Sequence, residues 1–191
     1  MNRRHFLGTA GPLLMATATD AAAQAPSAPC APPRTADVVY EPTPLAVVDT
    51  LITAAGTGSN DVVYDLGCGD GRFVVAAARR GARGVGFDLN PHLVEWATAN
   101  ALAERVSPRV RFELRDIFTV DMSPASVVTL YLLPELNLRL RPKLWKELRV
   151  GSRVVSNAFD MGDWAPDRTF DVPTRYRKAF LWTIKPEHKR T

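Results

Sequence analysis

Cysteine is nearly absent from this chain. Cys30 and Cys68 are the only two in 191 residues, too few for a disulfide framework and without the spacing of a metal site. Histidine is almost as scarce: His5, His92 and His188 stand far apart with no ligand spacing, so no metal is expected. A dominant charge is missing too. The 24 Lys and Arg against 20 Asp and Glu leave +4, and no basic run occurs before the tail from Lys185 to Arg190. Without residues 1–23, which hold Arg3, Arg4 and Asp20, the balance is +3. So mild an excess does not imply a nucleic-acid partner. No apolar run reaches the roughly 20 residues that span a bilayer, and no internal repeat is present. Hydrophobic residues, by contrast, make up 46% of the chain, enough for one sizeable core and one domain.

The first residues read as separate from that domain. Asn2-Arg3-Arg4-His5-Phe6-Leu7 resembles a twin-arginine export signal, followed by a weakly apolar, uncharged stretch to Thr19. Ala21-Ala22-Ala23 offers a small-x-small cleavage site, which implies a periplasmic or exported mature protein. An uncleaved leader that anchors the protein to a membrane, or a disordered extension on a cytoplasmic protein, is the alternative. Residues 24–36, rich in Pro and Ala, read as a linker. The folded domain is then expected over 37–191.

Within it, apolar periodicity predicts a helix over 43–55 and then alternating elements. Strands are expected at 62–66, 84–88, 109–114, 126–133 and 152–159, with helices at 72–80, 91–104 and 134–148. The last third breaks the alternation, because 168–172 and 178–185 read as an antiparallel pair. This order predicts an α/β fold: a doubly wound, mostly parallel seven-stranded sheet of Rossmann-like type, finishing in a C-terminal antiparallel hairpin.

The most informative stretch is Asp65-Leu66-Gly67-Cys68-Gly69-Asp70-Gly71-Arg72, placed between the first strand and a helix. Glycines there let the backbone turn tightly and approach a ligand closely. A dinucleotide fingerprint would need Gly-x-Gly-x-x-Gly, but Arg72 stands where its third glycine belongs. Cys68, inside the turn, reads as a small packing residue. Asp88 ends the second strand, where an acid accepts hydrogen bonds from both hydroxyls of a ribose. The alternative for Asp88 is an acid at the start of the helix that Pro91 opens.

Asp65 with Gly67, Gly69 and Gly71 resembles motif I of the class I S-adenosylmethionine (SAM) methyltransferases. That resemblance makes SAM the expected cofactor. It assigns Asp116, after the third strand, to the adenine amino group and Ile117 to packing on the ring. The Asn/Asp-Pro-Pro-Tyr turn of base and amide methylases is absent; Tyr131-Leu132-Leu133-Pro134-Glu135-Leu136-Asn137 stands in its place. More broadly, the chain resembles bacterial relatives of the mitochondrial lysine methyltransferases that modify the adenine nucleotide translocase and the c-ring protein of ATP synthase. The likeness rests on Tyr40-Glu41-Pro42-Thr43-Pro44, on Asp65 to Arg72, on Tyr131 to Asn137, and on Arg153 to Trp164. It implies that Tyr40, Pro42 and Thr43 help close over the cofactor and that the acceptor is a protein lysine.

A lysine must lose its proton before it attacks. With an ordinary pKa of about 10.4, neutrality at pH 7 costs roughly 4.6 kcal/mol, and desolvation in an apolar slot lowers that cost. Tyr131, Leu132, Leu133 and Trp164 are candidates for such a slot, and Asn137 for orienting the amine. The plain alternative is that Tyr131 to Leu133 are strand core. Other functional readings are a small-molecule methyltransferase, a nicotinamide-dependent oxidoreductase and a non-catalytic SAM-binding protein.

Overall fold

The computed structural model describes residues 40–190. The leader, the linker and Cys30 lie outside the described residues. Four α-helices, α1 (Leu45–Ala54), α2 (Arg72–Arg79), α3 (Pro91–Ala103) and α4 (Pro134–Glu147), accompany seven strands. The strands are β1 (Val62–Leu66), β2 (Arg83–Asp88), β3 (Val110–Leu114), β4 (Val127–Leu130), β5 (Arg153–Asn157), β6 (Arg168–Asp171) and β7 (Lys178–Thr183). They form one sheet in the order β3-β2-β1-β4-β5-β7-β6. Strands β1 to β5 run parallel, while β7 pairs antiparallel with both β5 and β6. The expected sheet and its terminal hairpin are thus present.

Side chains alternate across this sheet as the strand period dictates. Tyr64, Leu66, Val128, Leu130 and Val154 face one side and pack with Leu136, Leu140 and Leu144 of α4. Val63, Val127 and Val155 face the other, against Val47, Val48, Leu51 and Ile52 of α1 and Phe73 and Ala77 of α2. No helix lies between β3 and β4. Val120, Met122 and Ala125 of that connection complete the α4-side core directly.

Two strand ends differ from expectation. The fourth strand stops at Leu130 and the fifth at Asn157. The ladder from β4 to its neighbours ends at Leu66 and Ser156, so residues 131–133 have no strand to pair with. They lead instead into Pro134, whose missing N–H suits the first turn of α4. After Asn157 the chain turns sharply at Ala158, with φ 71°. Strand order reverses between β1 and β4, which opens a crevice at their carboxyl ends. Among the described residues no helix is long and apolar enough to cross a membrane.

Candidate functional site

The glycine turn after β1 is hooked to β2 by its backbone. The N–H groups of Gly67 and Cys68 both donate to the Phe87 carbonyl at 2.9 Å. Gly69 N–H donates to one oxygen of Asp88 and Asn90 N–H to the other, each at 2.9 Å. The N-cap of α3 is Asn90, whose side chain accepts from His92 N–H. Asp88 is therefore not the capping acid; it faces the crevice and organises the turn. Cys68 is buried against Gly86, and burial raises its thiol pKa well above the ordinary range. It packs, as expected, and stays a thiol.

A cavity opens at this crevice. Asp65, Gly67, Cys68, Asp70 and Phe73, from the end of β1 through the turn into α2, line it. Asp88, Leu89, Asn90, Leu93 and Ile117 line one end, and Tyr131, Leu132 and Leu136 another. Tyr40, Glu41, Pro42, Thr43 and Arg72 complete the lining. Of the sequence candidates, Tyr40, Pro42, Thr43, Asp65, Gly67, Asp88, Ile117 and Tyr131 meet here. Gly69, Gly71, Asp116 and Asn137 are not among the lining residues.

At Gly69 a side chain of this chain already demands the glycine. A Cβ at Gly69 would stand 2.3 Å from a ring carbon of Tyr40. The aromatic ring of the segment before α1 lies directly on the turn. Arg72 fastens that segment: its guanidinium donates to both carboxylate oxygens of Asp70 at 2.8 and 2.6 Å, to the Thr43 carbonyl, and to the Tyr40 hydroxyl at 3.3 Å. Gly71 likewise makes room for Phe112 and Ala97. Thr43 is held from the far side, where Asn157 donates to its hydroxyl.

Asp65 is the most deeply buried acid of the cavity lining. Thr129 of β4 donates its hydroxyl to the carboxylate at 2.6 Å. Burial is the larger influence, assisted by the neighbouring acids Asp88 and Asp70, and the Asp65 pKa is pushed up to about 7. At the other end of the cavity, burial and the adjacent Glu41 carboxylate push the Tyr131 hydroxyl up to about 12. It stays protonated near neutrality and is no general base.

Several candidates lie elsewhere than the cavity lining or in other local structure. Leu132 is buried and lines the cavity, but Leu133 is exposed, because residues 131–133 are loop rather than strand. Trp164 lies in the α4-side core with Trp145, Trp182 and His188, not in the cavity lining. Asn137 is wholly buried. Its amide N–H donates to the Phe159 and Asp160 carbonyls at 3.3 and 3.2 Å and so ties α4 to the loop after β5, outside the cavity lining. Asp116 accepts from Phe118 N–H at 2.9 Å and closes a turn that presents Ile117.

Sequence reasoning missed Glu41, Asp70, Arg72, Leu89, Leu93, Phe159 and Tyr176. Arg72 carried a signal, since an arginine in place of a fingerprint glycine needed a purpose. Phe159 lay within the Arg153 to Trp164 segment of the likeness but had no role assigned, and Tyr176 carried no signal. The two rings meet Tyr131 because β7 runs back beside β5. Among the described residues, no group of three or more His, Cys, Asp or Glu is placed to hold a metal ion.

Known proteins resemble this arrangement closely. A family model for the ANTKMT methyltransferase domain matches residues 65–168. A protein-lysine N-methyltransferase from Saccharolobus islandicus is 41% identical over 156 residues, 80% of this chain and 96% of that protein. The adenine nucleotide translocase lysine N-methyltransferase of Mus musculus is 40% identical over 105 residues, 54% of this chain. This chain spans about half the length of such animal relatives, 46% in the mouse case. Among solved structures, a protein from Salinibacter ruber in complex with S-adenosyl-L-homocysteine, described as an RNA methyltransferase, is 49% identical with a TM-score of 0.73. That match covers 76% of this chain and 95% of that one.

Proposed function

The chain belongs to the ANTKMT methyltransferase family, and from that premise we propose that it moves the methyl group of SAM onto the side-chain amine of a protein lysine. Family membership sets aside the oxidoreductase and the non-catalytic readings. The observation that carries the assignment is the cavity that joins Asp88 and Ile117 at one end to Glu41 and Tyr131 at the other.

The residues fit the cofactor. Each Asp88 oxygen holds one backbone N–H and keeps acceptor capacity for a ribose hydroxyl. Leu89, Leu93 and Ile117 offer an apolar berth for a base, and Asp65 a buried acid toward the cationic end of the molecule. SAM supplies an activated methyl on a sulfonium, so little covalent chemistry is left to the protein. The protein's work is to hold the acceptor nitrogen in line and keep water out. Tyr40 and Pro42, clamped by Arg72, form the cover over the turn. The lysine ammonium would first give one proton to solvent, and its neutral nitrogen would then take the methyl as the carbon–sulfur bond breaks, leaving a methylammonium.

The relatives' descriptions diverge on the acceptor, protein lysine in one case and RNA in the other. The carboxylate of Glu41 in the lining favours a cationic acceptor over a phosphate backbone. Incubating the enzyme with methyl-labelled SAM and soluble and membrane lysates is expected to label protein, with the label recovered as methyl-lysine. Label confined to RNA or to small molecules would overturn the lysine assignment and leave methyl transfer intact.

We also propose that the leader exports the folded protein. Replacing Arg3 and Arg4 with lysine is then expected to leave the uncleaved precursor in the cytoplasm. Wild-type protein found there uncleaved would end that reading.

A further inference from the structure

Tyr131, which lines the cavity, packs with two further aromatic rings, Phe159 and Tyr176, from outside the lining. Tyr131 stacks on Phe159 with centroids 6.4 Å apart and 19° between planes. Tyr176 meets Phe159 at 4.9 Å and the edge of Tyr131 at 6.4 Å. All three are partly exposed. A cation already sits on this cluster. The Arg175 guanidinium lies 4.6 Å over the Tyr176 ring and donates to Glu41 at 2.5 Å. Rings with a carboxylate beside them are the chemistry that holds an alkylammonium. Glu41 and Tyr131 line the cavity, whereas Phe159, Tyr176 and Arg175 do not.

Building on the lysine reading, we propose that Glu41 with Tyr131, Phe159 and Tyr176 seats the acceptor's ammonium group, and that Arg175 fills this seat in the free enzyme as an internal stand-in that the acceptor displaces. Displacement is easy because the pair is exposed, 65% for the Arg175 side chain and 47% for Glu41, and exposed ion pairs are readily exchanged in water. The rings attract a cation whether it carries hydrogens or methyls. The seat therefore accepts mono- and dimethyl-lysine as well as lysine, and one site can add successive methyls. Glu41 favours the docked ammonium form, so before each transfer the nitrogen must give one proton to water. The neutral nitrogen then forms the nitrogen–carbon bond as the carbon–sulfur bond breaks, and the product is a cation again.

The test has two arms. In the first, short peptides that differ only in a central lysine, trimethyl-lysine or norleucine are titrated into full-length protein saturated with S-adenosylhomocysteine. The two cationic peptides are expected to bind and to perturb the Tyr131 and Tyr176 resonances, and the norleucine peptide is not. In the second, transfer from labelled SAM to the lysine peptide is followed at steady state. Arg175→Ala is expected to lower the acceptor KM about threefold and Glu41→Gln to raise it about fivefold, with the cofactor KM unchanged and Arg175→Lys close to wild type. Tyr176→Leu should raise the acceptor KM and reduce the trimethylated product relative to the monomethylated one. Cationic binding without any transfer would refute the lysine reaction but keep the seat. Transfer whose acceptor KM ignores Glu41, Arg175 and Tyr176 would refute the seat but keep the reaction.

Discussion

Gly69→Ala is expected to weaken SAM binding about 100-fold in the wild-type background, but no more than about threefold when Tyr40 is also alanine. A Cβ at this position would approach the Tyr40 ring to 2.3 Å. No rotamer relieves a clash with a ring carbon that close, so the ring must leave. The backbone at Gly69 has φ +53°, which costs a non-glycine residue about 1–2 kcal/mol in addition. Once Tyr40 moves, its hydroxyl leaves Arg72 and the cover over the turn loosens. Calorimetry across the double-mutant cycle measures the coupling. An equal loss in both backgrounds would mean that the ligand itself, not Tyr40, requires the glycine.

Asp65→Asn is expected to stabilise the ligand-free protein and at the same time weaken cofactor binding roughly thirtyfold, the equivalent of about 2 kcal/mol for a charge-assisted contact. The sign follows from the raised pKa of about 7. An unfolded aspartate titrates near 3.9, so between about pH 4 and pH 7 the folded chain keeps a proton that the unfolded chain has released. Stability is highest below that window, falls as pH rises through it, and is flat above. At roughly 1.36 kcal/mol per pKa unit the whole loss is at most about 4 kcal/mol. An asparagine still accepts the Thr129 hydroxyl and carries no charge to bury. Thermal melts of the two proteins should agree at pH 4 and separate by several degrees at pH 8, with Asp65→Asn the more stable. A wild-type melting curve that rises between pH 4 and pH 7 on account of Asp65 would contradict this.

Both results turn on the difference between what neighbouring residues dictate and what the folded chain assembles. The strand–turn–helix over residues 62–79 was legible because it is local. Consecutive apolar residues make a buried strand, and glycines with positive φ let the chain reverse above it. Asp88 was legible for the same reason, as the last residue of a short strand before a proline-opened helix. The order of the elements, read from their periods, was enough for the sheet, since parallel connections admit few topologies. Residues separated by long stretches of chain were not legible in this way. The Tyr40 ring needs Gly69, far along the chain. Arg72 ties together Asp70, Thr43 and Tyr40, although its position suggested only a glycine that was missing. Tyr131 meets Phe159 and Tyr176 because β7 inserts antiparallel between β5 and β6 and returns the chain to the mouth of the cavity. Backbone periodicity and turn chemistry are written in adjacent residues. The pairing of side chains across the sheet depends on which chain segments return to the same place, and a single sequence carries no period for that.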